Sequence, residues 1–150
     1  TEDNGLERID HLSGMGTAQG AVITRAAAEI GTELDVKYLI AFTQTGGCAR
    51  RLAQLRPALP TLAFSPTQSV RSQLALVWGI ETFLTPPVTS TDEYAMMVDE
   101  ILLDAGRVEE GDKVVIVAGS PPGIPGSTNA VRVHRIGDAR NGVASAYRMM

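Results

Sequence analysis

Short apolar runs alternate with longer helical patterns along most of this chain, and this alternation most restricts the possible folds. Each run is only four to six residues long and is rich in β-branched or aromatic side chains, as in residues 38–42, 61–64, 80–84 and 113–118. Helical patterns cover residues 18–34, 47–55, 68–78 and 91–105. Strands that alternate with helices of this length predict a parallel sheet with helices on both faces.

A fifth strand is predicted over residues 130–136, where apolar and polar residues alternate. The loop before it, residues 119–128, is too short for a parallel crossover, so this strand should pair antiparallel at an edge of the sheet. The prediction is therefore a three-layer α/β fold with a mostly parallel five-stranded sheet and an antiparallel edge strand. The hydrophobic content of 44% and aromatic content of 5% suit such a fold.

The two ends of the chain differ from its middle. Residues 1–16 are predicted to be an extended lead-in, such as a linker between domains, and the abrupt start is typical of a cut inside a longer chain. Residues 17–138 form the predicted α/β domain. The tail, residues 139–150, carries neither a helical nor a strand period, so we expect it to be disordered or introduced by cloning.

Charge and composition exclude several classes of function. The formal net charge of -4 gives no indication of nucleic-acid binding. No apolar run reaches the roughly 20 residues that a membrane-spanning helix needs. A single cysteine excludes an internal disulfide and fits a reducing compartment, so we expect a cytoplasmic protein that binds neither nucleic acid nor membrane.

The segment that follows the first strand has the composition of an anion-binding turn. Its residues are small or polar, and a helix begins directly afterwards: Thr43, Gln44, Thr45, Gly46, Gly47 and Cys48. The first N–H groups of a helix have no partner inside it, and the helix dipole adds positive potential there. The threonines add hydroxyl donors, the glycines let an anion approach the backbone, and Arg50 and Arg51 could supply charge.

A second glycine- and hydroxyl-rich loop is predicted at the same edge of the sheet. It joins the fourth and fifth strands and contains Ser120, Gly123, Gly126 and Ser127. In open α/β sheets, ligands bind beyond the carboxyl ends of the strands, where both loops should lie. Two such loops at one edge predict a phosphate-binding site.

Motifs for catalysis are missing. The glycines of the first loop are not followed by the Lys-Ser or Lys-Thr of a Walker A loop, and Gln54 stands where a cysteine phosphatase would need an arginine after Cys48. His11 and His134 are interpreted as solvated or hydrogen-bonded, and Trp78 as packing at a helix end. The acids on the last helix are interpreted as its solvated face: Asp99, Glu100 and Asp104.

Several blocks of the chain resemble the C-terminal domain of pyruvate kinase, most nearly the actinobacterial kind. The resemblance covers about residues 1–138, with the blocks in the right order: residues 1–9, 21–30, 42–46, 49–52, 70–76, 78–79, 111–123, 126–129 and 131–136.

The resemblance implies a regulatory and oligomerisation domain. The whole enzyme transfers a phosphoryl group from phosphoenolpyruvate to ADP with Mg²⁺ and K⁺, using catalytic residues of a preceding barrel domain. This chain alone is therefore expected to be inactive and to contain no cofactor or metal of its own. The expected partners are a phosphorylated effector, the preceding catalytic domain and further copies of the chain. The family's effector loops map onto residues 43–48 and 120–127.

Two departures from the family affect the expected effector. Cys48 stands where members usually have serine or threonine, and the second loop contains no lysine or arginine. These departures favour a sugar monophosphate or AMP over a bisphosphate. Two alternatives stay open at this point: a stand-alone α/β domain with a structural or oligomerisation role and no ligand, and a self-standing enzyme that uses Cys48.

Overall fold

The computed structural model describes residues 2–55, 58–88, 90–119 and 128–142. In these ranges the chain forms four helices and five strands, which alternate after the first helix. Their bounds are α1 Glu2–Leu34, β1 Tyr38–Phe42, α2 Gly47–Gln54, β2 Thr61–Ser65, α3 Gln68–Leu74, β3 Ile80–Leu84, α4 Thr91–Asp104, β4 Lys113–Gly119 and β5 Thr128–Arg135. None of the helices in these ranges combines the length and apolar character of a membrane span.

The strands form one sheet in the order β3-β2-β1-β4-β5. β1 pairs parallel with both β2 and β4, and β2 pairs parallel with β3. β5 pairs antiparallel with β4 and forms one edge of the sheet. The predicted mostly parallel, five-stranded sheet with an antiparallel edge strand is therefore confirmed.

Side chains of β1 alternate between two cores, one on each face of the sheet. Leu39 and Ala41 lie in a cluster covered by α1, α2 and α3. Ile40 and Phe42 lie in a second cluster covered by α4. Because successive side chains of a strand point to opposite faces, an all-apolar run such as this one is stable only between two helical layers. The predicted three layers are therefore confirmed.

The first helix is longer than the sequence predicts. α1 begins at Glu2, so the expectation of an extended backbone through residue 16 is wrong. The glycines and serine of residues 13–16 indicated a loop, but each glycine costs a helix only about 1 kcal/mol and no proline interrupts this stretch. The end of the helix agrees with the prediction: after Leu34, Asp35 adopts a positive φ of 53°. That residues 1–16 link two domains stays a prediction.

The third helix is shorter than predicted, and Trp78 lies at the surface. α3 ends at Leu74, and the N–H groups of Leu76 and Val77 donate three residues back in tighter turns. Gly79, with φ of 86°, then directs the chain into β3. Trp78 is 84% exposed and Leu76 is 90% exposed, so the interpretation of Trp78 as a packing residue is wrong.

The start of the predicted tail is folded onto the domain. Residues 137–142 form turns, and the backbone N–H of Arg140 donates to Asp99 at 2.9 Å. The expected disorder is therefore wrong for residues 139–142, because the hydrogen bond from Arg140 to the buried carboxylate of Asp99 holds these turns on the domain. Residues 143–150 lie outside the described ranges.

Candidate functional site

The loop after β1 is a compact turn held by its own residues. Thr43 is buried, and its Oγ1 accepts a hydrogen bond from the Gly46 N–H at 2.7 Å. Its own N–H donates to the Phe64 carbonyl of the neighbouring strand at 3.0 Å. Gly46 has φ of 90°, a conformation that side chains other than glycine rarely adopt. The turn therefore needs a hydroxyl at position 43 and a glycine at position 46.

The space above Gly47 is lined by polar groups. A methyl group built on this residue would lie 3.7 Å from Thr45 Oγ1 and 3.7 Å from Arg51 Nη2, the nearest atoms apart from its chain neighbours and the adjacent helix backbone. Gly47 is also the first residue of α2, and the residue before it supplies no side-chain cap. We call the surface formed by Thr43, Gln44, Thr45, Gly46 and Gly47 the cup. Around Gly47, the cup and the neighbouring Arg51 bring together a helix N-terminus, a hydroxyl and a guanidinium.

The two arginines beside the cup differ in their contacts. Arg50 is held in place, because its guanidinium donates to the Thr45 carbonyl and to Gln73 Oε1, each at 3.2 Å. Arg51 lies against α1 instead, where its Nη1 is 2.8 Å from the position of a methyl group built on Gly20. Arg51 takes part in none of the ion pairs of the described residues. Arg50 takes part in none of them either, and its Nη1 lies 3.0 Å from a methyl group built on Gly46, so both arginines place charge beside the cup and Arg51 is the less constrained of the two.

Cys48 belongs to the core rather than to the cup. Its side chain is 3% exposed and packs in the cluster that α1, α2 and α3 share with the sheet. A thiol in that position can fill space between the helices, but a substrate in the cup cannot reach it. The structure thus favours the packing role over catalysis, and only the backbone of Cys48 could serve the predicted site.

The second predicted loop lies outside the described residues, including Ser120, Gly123, Gly126 and Ser127. The two residues that flank it are described: Gly119 ends β4 and Thr128 begins β5. Because Ala41 of β1 pairs in parallel with Val117, Gly119 leaves the sheet beside the start of the cup. The two loops therefore begin at the adjacent carboxyl-terminal ends of β1 and β4, as the sequence predicts.

Tyr94 connects α4 to the carboxyl-terminal end of β4. Its hydroxyl donates to the Gly119 carbonyl at 2.8 Å, and its ring lies 4.5 Å from the ring of Phe42. Burial raises the pKa of this hydroxyl, so it stays protonated and keeps donating. The sequence analysis missed this residue, whose position in the apolar stripe of α4 gives no sign of a polar role.

The sequence analysis also missed a buried polar cluster on the α4 side of the sheet. Asp99 is fully buried, and its Oδ1 lies 2.7 Å from Nε2 of the buried His134. Burial alone raises the pKa of Asp99, but the hydrogen bonds from His134 and from the backbone of Arg140 and Gly137 outweigh it, so the pKa lies below its usual range.

This cluster changes the interpretation of the acids on α4. The expectation that Asp99 lies on the solvated face is wrong, whereas Glu100 and Asp104 are exposed as expected. His134 is one of the hydrogen-bonded imidazoles that the sequence analysis allowed, and the side chain of His11 lies outside the described part of the chain. The cluster joins α4, β5 and the C-terminal turns, which is a structural arrangement and not that of an exposed acid–base pair.

Other features of the described residues do not form a second site of this kind. No group of three or more potential metal ligands occurs there. A groove of about 410 Å³ lies between the outer face of α1 and the end of α2, away from the cup, and is lined by Arg25, Ala28, Glu29, Thr32, Glu33 and Leu55.

Known proteins match this chain over most of its length. A family model described as "Pyruvate kinase, alpha/beta domain" matches residues 21–134. The chain belongs to the pyruvate kinase family. A pyruvate kinase from Mycobacterium intracellulare is 56% identical over 117 residues, which are 78% of this chain and 25% of that protein. One from Corynebacterium glutamicum is 44% identical over 131 residues, which are 87% of this chain and 28% of that protein.

The fold is likewise that of pyruvate kinase. The structure described as "Cryptosporidium parvum pyruvate kinase in complex with ADP" superimposes with a TM-score of 0.68 at 23% identity, covering 77% of this chain and 23% of that one. The expected resemblance to the C-terminal domain of actinobacterial pyruvate kinase is therefore confirmed. The chain spans about a quarter of the length of the curated relatives it matches.

Proposed function

We propose that this chain is the regulatory and oligomerisation domain of a pyruvate kinase and that its cup binds the phosphate of an allosteric effector. In the whole enzyme a preceding catalytic domain, with Mg²⁺ and K⁺, would transfer the phosphoryl group from phosphoenolpyruvate to ADP. The chain alone would have no turnover. We further propose that the enzyme is cytoplasmic and homo-oligomeric.

The space above Gly47 is the observation that carries the effector site. Phosphate oxygens accept hydrogen bonds, and this space is bordered by a hydroxyl, a guanidinium and the positive end of α2. The glycine leaves room for an anion that a larger side chain would fill. We propose that Ser120, Gly123, Gly126 and Ser127 also belong to the effector site, as the sequence predicts.

The charge near the cup supports a single phosphate group. Arg50 and Arg51 lie against the two glycines of the cup, where both can hold the same phosphate group. Residues 120–127 contain no lysine or arginine that could hold a second phosphate. A sugar monophosphate or AMP fits this charge better than a bisphosphate does.

The proposal is tested at Thr45, which is exposed and lies beside Gly47. We expect Thr45→Asp to weaken binding of glucose 6-phosphate at least about tenfold, because a carboxylate next to the phosphate adds like-charge repulsion. The measurement is isothermal titration calorimetry at pH 7 with glucose 6-phosphate, AMP and fructose 1,6-bisphosphate as separate probes.

Thr45→Asn is the matched control, since asparagine has the shape of aspartate without its charge and either side chain can accept from the Gly47 N–H. This variant should bind the effective probe at least about tenfold more tightly than Thr45→Asp does, because only the charge differs between these two side chains. If none of the three probes binds the unmodified chain, or if Asp and Asn at position 45 have the same effect, the cup is not a phosphate site.

A further inference from the structure

The contact between Arg51 and Gly20 joins the cup to the longest helix of the domain. A methyl group on Gly20 would lie 2.8 Å from Nη1 and 3.0 Å from Cζ of Arg51, so the guanidinium lies directly on the backbone of α1 at this buried glycine. On its other side, Nη2 of the same guanidinium lies 3.7 Å from the methyl position above Gly47. One cation therefore contacts both α1 and the space proposed for phosphate.

We infer that Arg51 is the residue through which phosphate in the cup acts on α1, an inference that rests on the function proposed above. In the structure the guanidinium lies on α1 at Gly20. A phosphate above Gly47 draws the guanidinium toward its oxygens, because a charge-assisted hydrogen bond is stronger than a contact with helix backbone. The packing of α1 at Gly20 then changes with occupancy of the cup.

The neighbouring groups support this role for Arg51 rather than for Arg50. Arg50 is fixed by Thr45 and by Gln73 of α3, and moving it would break both hydrogen bonds. The guanidinium of Arg51 lies at the end of a flexible side chain and can turn between the two sites without a change in the backbone. Binding energy of the effector is thereby coupled to the surroundings of one helix.

The inference is tested by proton–nitrogen NMR of this 150-residue chain during titration with glucose 6-phosphate. Signals of the Gly46 and Gly47 amides report on the cup, and those of the Gly20 and Thr24 amides report on α1. In the unmodified chain we expect both sets to shift with the same dissociation constant. Arg51→Met should weaken binding about tenfold or more and, at saturation, leave the α1 amides unshifted.

Gly20→Ala tests the contact between Arg51 and α1 while keeping the charge of Arg51. The added methyl would meet only the mobile end of Arg51, and alanine suits a helix better than glycine, so the fold is retained. We expect this variant to bind glucose 6-phosphate within about threefold of the unmodified chain while its α1 amides lose at least half of their response. Arg25→Met removes a cation of α1 that lines the groove beside Leu55, and it should change neither response.

The outcomes distinguish the two proposals. If the Gly46 and Gly47 amides do not respond in the unmodified chain, the effector site itself fails, and the role of Arg51 fails with it. If these amides respond but α1 does not, or if α1 still responds at saturation in Arg51→Met or fully in Gly20→Ala, the cup binds phosphate but Arg51 does not couple it to α1.

Discussion

Removing the carboxylate of Asp99 should destabilise the domain more than removing any exposed acid of α4. Asp99 is 0% exposed, lies 2.7 Å from His134 and accepts the Arg140 N–H at 2.9 Å. Asp99→Ala leaves these buried polar groups without their acceptor. Breaking a buried pair in this way costs about 3–5 kcal/mol, out of a total of roughly 5–15 kcal/mol for a typical domain.

The matched control is Asp104→Ala on the same helix. Asp104 is 69% exposed and meets the Arg140 guanidinium at 3.5 Å. An exposed ion pair of this kind contributes about 0–1 kcal/mol. Urea unfolding followed by far-ultraviolet circular dichroism at pH 7 measures both variants. A loss within 1 kcal/mol of the control would refute the view that the buried cluster stabilises the domain.

The pH dependence gives the same experiment a second readout. Hydrogen bonds hold the pKa of Asp99 below its usual range in the folded state, so the folded chain favours the ionised carboxylate more than the unfolded chain does. Its contribution is therefore fully present above the unfolded pKa, near 3.9, and is lost as the pH falls through the lower folded value. The stability difference between the unmodified chain and Asp99→Ala should shrink below about pH 4, whereas the small Asp104→Ala difference should stay small.

Two further predictions concern the core between the sheet and the helices α1, α2 and α3. Gly31→Ala should lower the free energy of unfolding, measured in urea, by about 1–3 kcal/mol. The added methyl would lie only 2.7 Å from Leu39 Cδ2 and 3.0 Å from Leu59 Cδ1. An unchanged urea midpoint of unfolding would show that these side chains move freely. Cys48, at 3% exposure, should react with a thiol reagent at least about a hundredfold more slowly in the folded chain than in denaturant; equal rates would show that its thiol is accessible.

The strands could be predicted from the sequence because each is an apolar run between turn residues. The bounds of β1 agree fully, since a five-residue run such as 38–42 is too short for a helix and too apolar for a solvated loop. The antiparallel pairing of β5 followed from the length of the preceding loop alone. These features depend on local sequence, so no knowledge of distant contacts was needed.

The ends of two helices depend on tertiary context, which is why their predictions were wrong. Nothing local stops α1 at residue 17, because the glycines there only weaken a helix. The apolar pattern of α3 continues through Val77, but the chain must turn at Gly79 to enter β3. A prediction from helical periodicity therefore makes α3 too long, and a prediction from glycine content makes α1 too short.

The cup could be predicted because its residues are adjacent in the sequence, whereas the buried cluster joins residues 35 positions apart. One signal was present in β5. Alternate residues of a strand face the same side of the sheet, so Ile136 faces the same side as His134 and the opposite side from Val133. Burying Ile136 therefore also buries His134, which is 2% exposed, and leaves Val133 at the surface, where it is 44% exposed. A buried histidine on an edge strand should prompt a search for an acid on the helix that covers it.

The single tryptophan is exposed, so its intrinsic fluorescence can report when another protein surface covers it. Trp78, at 84% exposure between α3 and β3, should fluoresce at long wavelength, as indole does in water. A partner that covers this end of the sheet, whether a second copy or another domain, would shift the emission to shorter wavelength and shield it from soluble quenchers. Assembly at this surface can therefore be followed at low concentration without any attached dye.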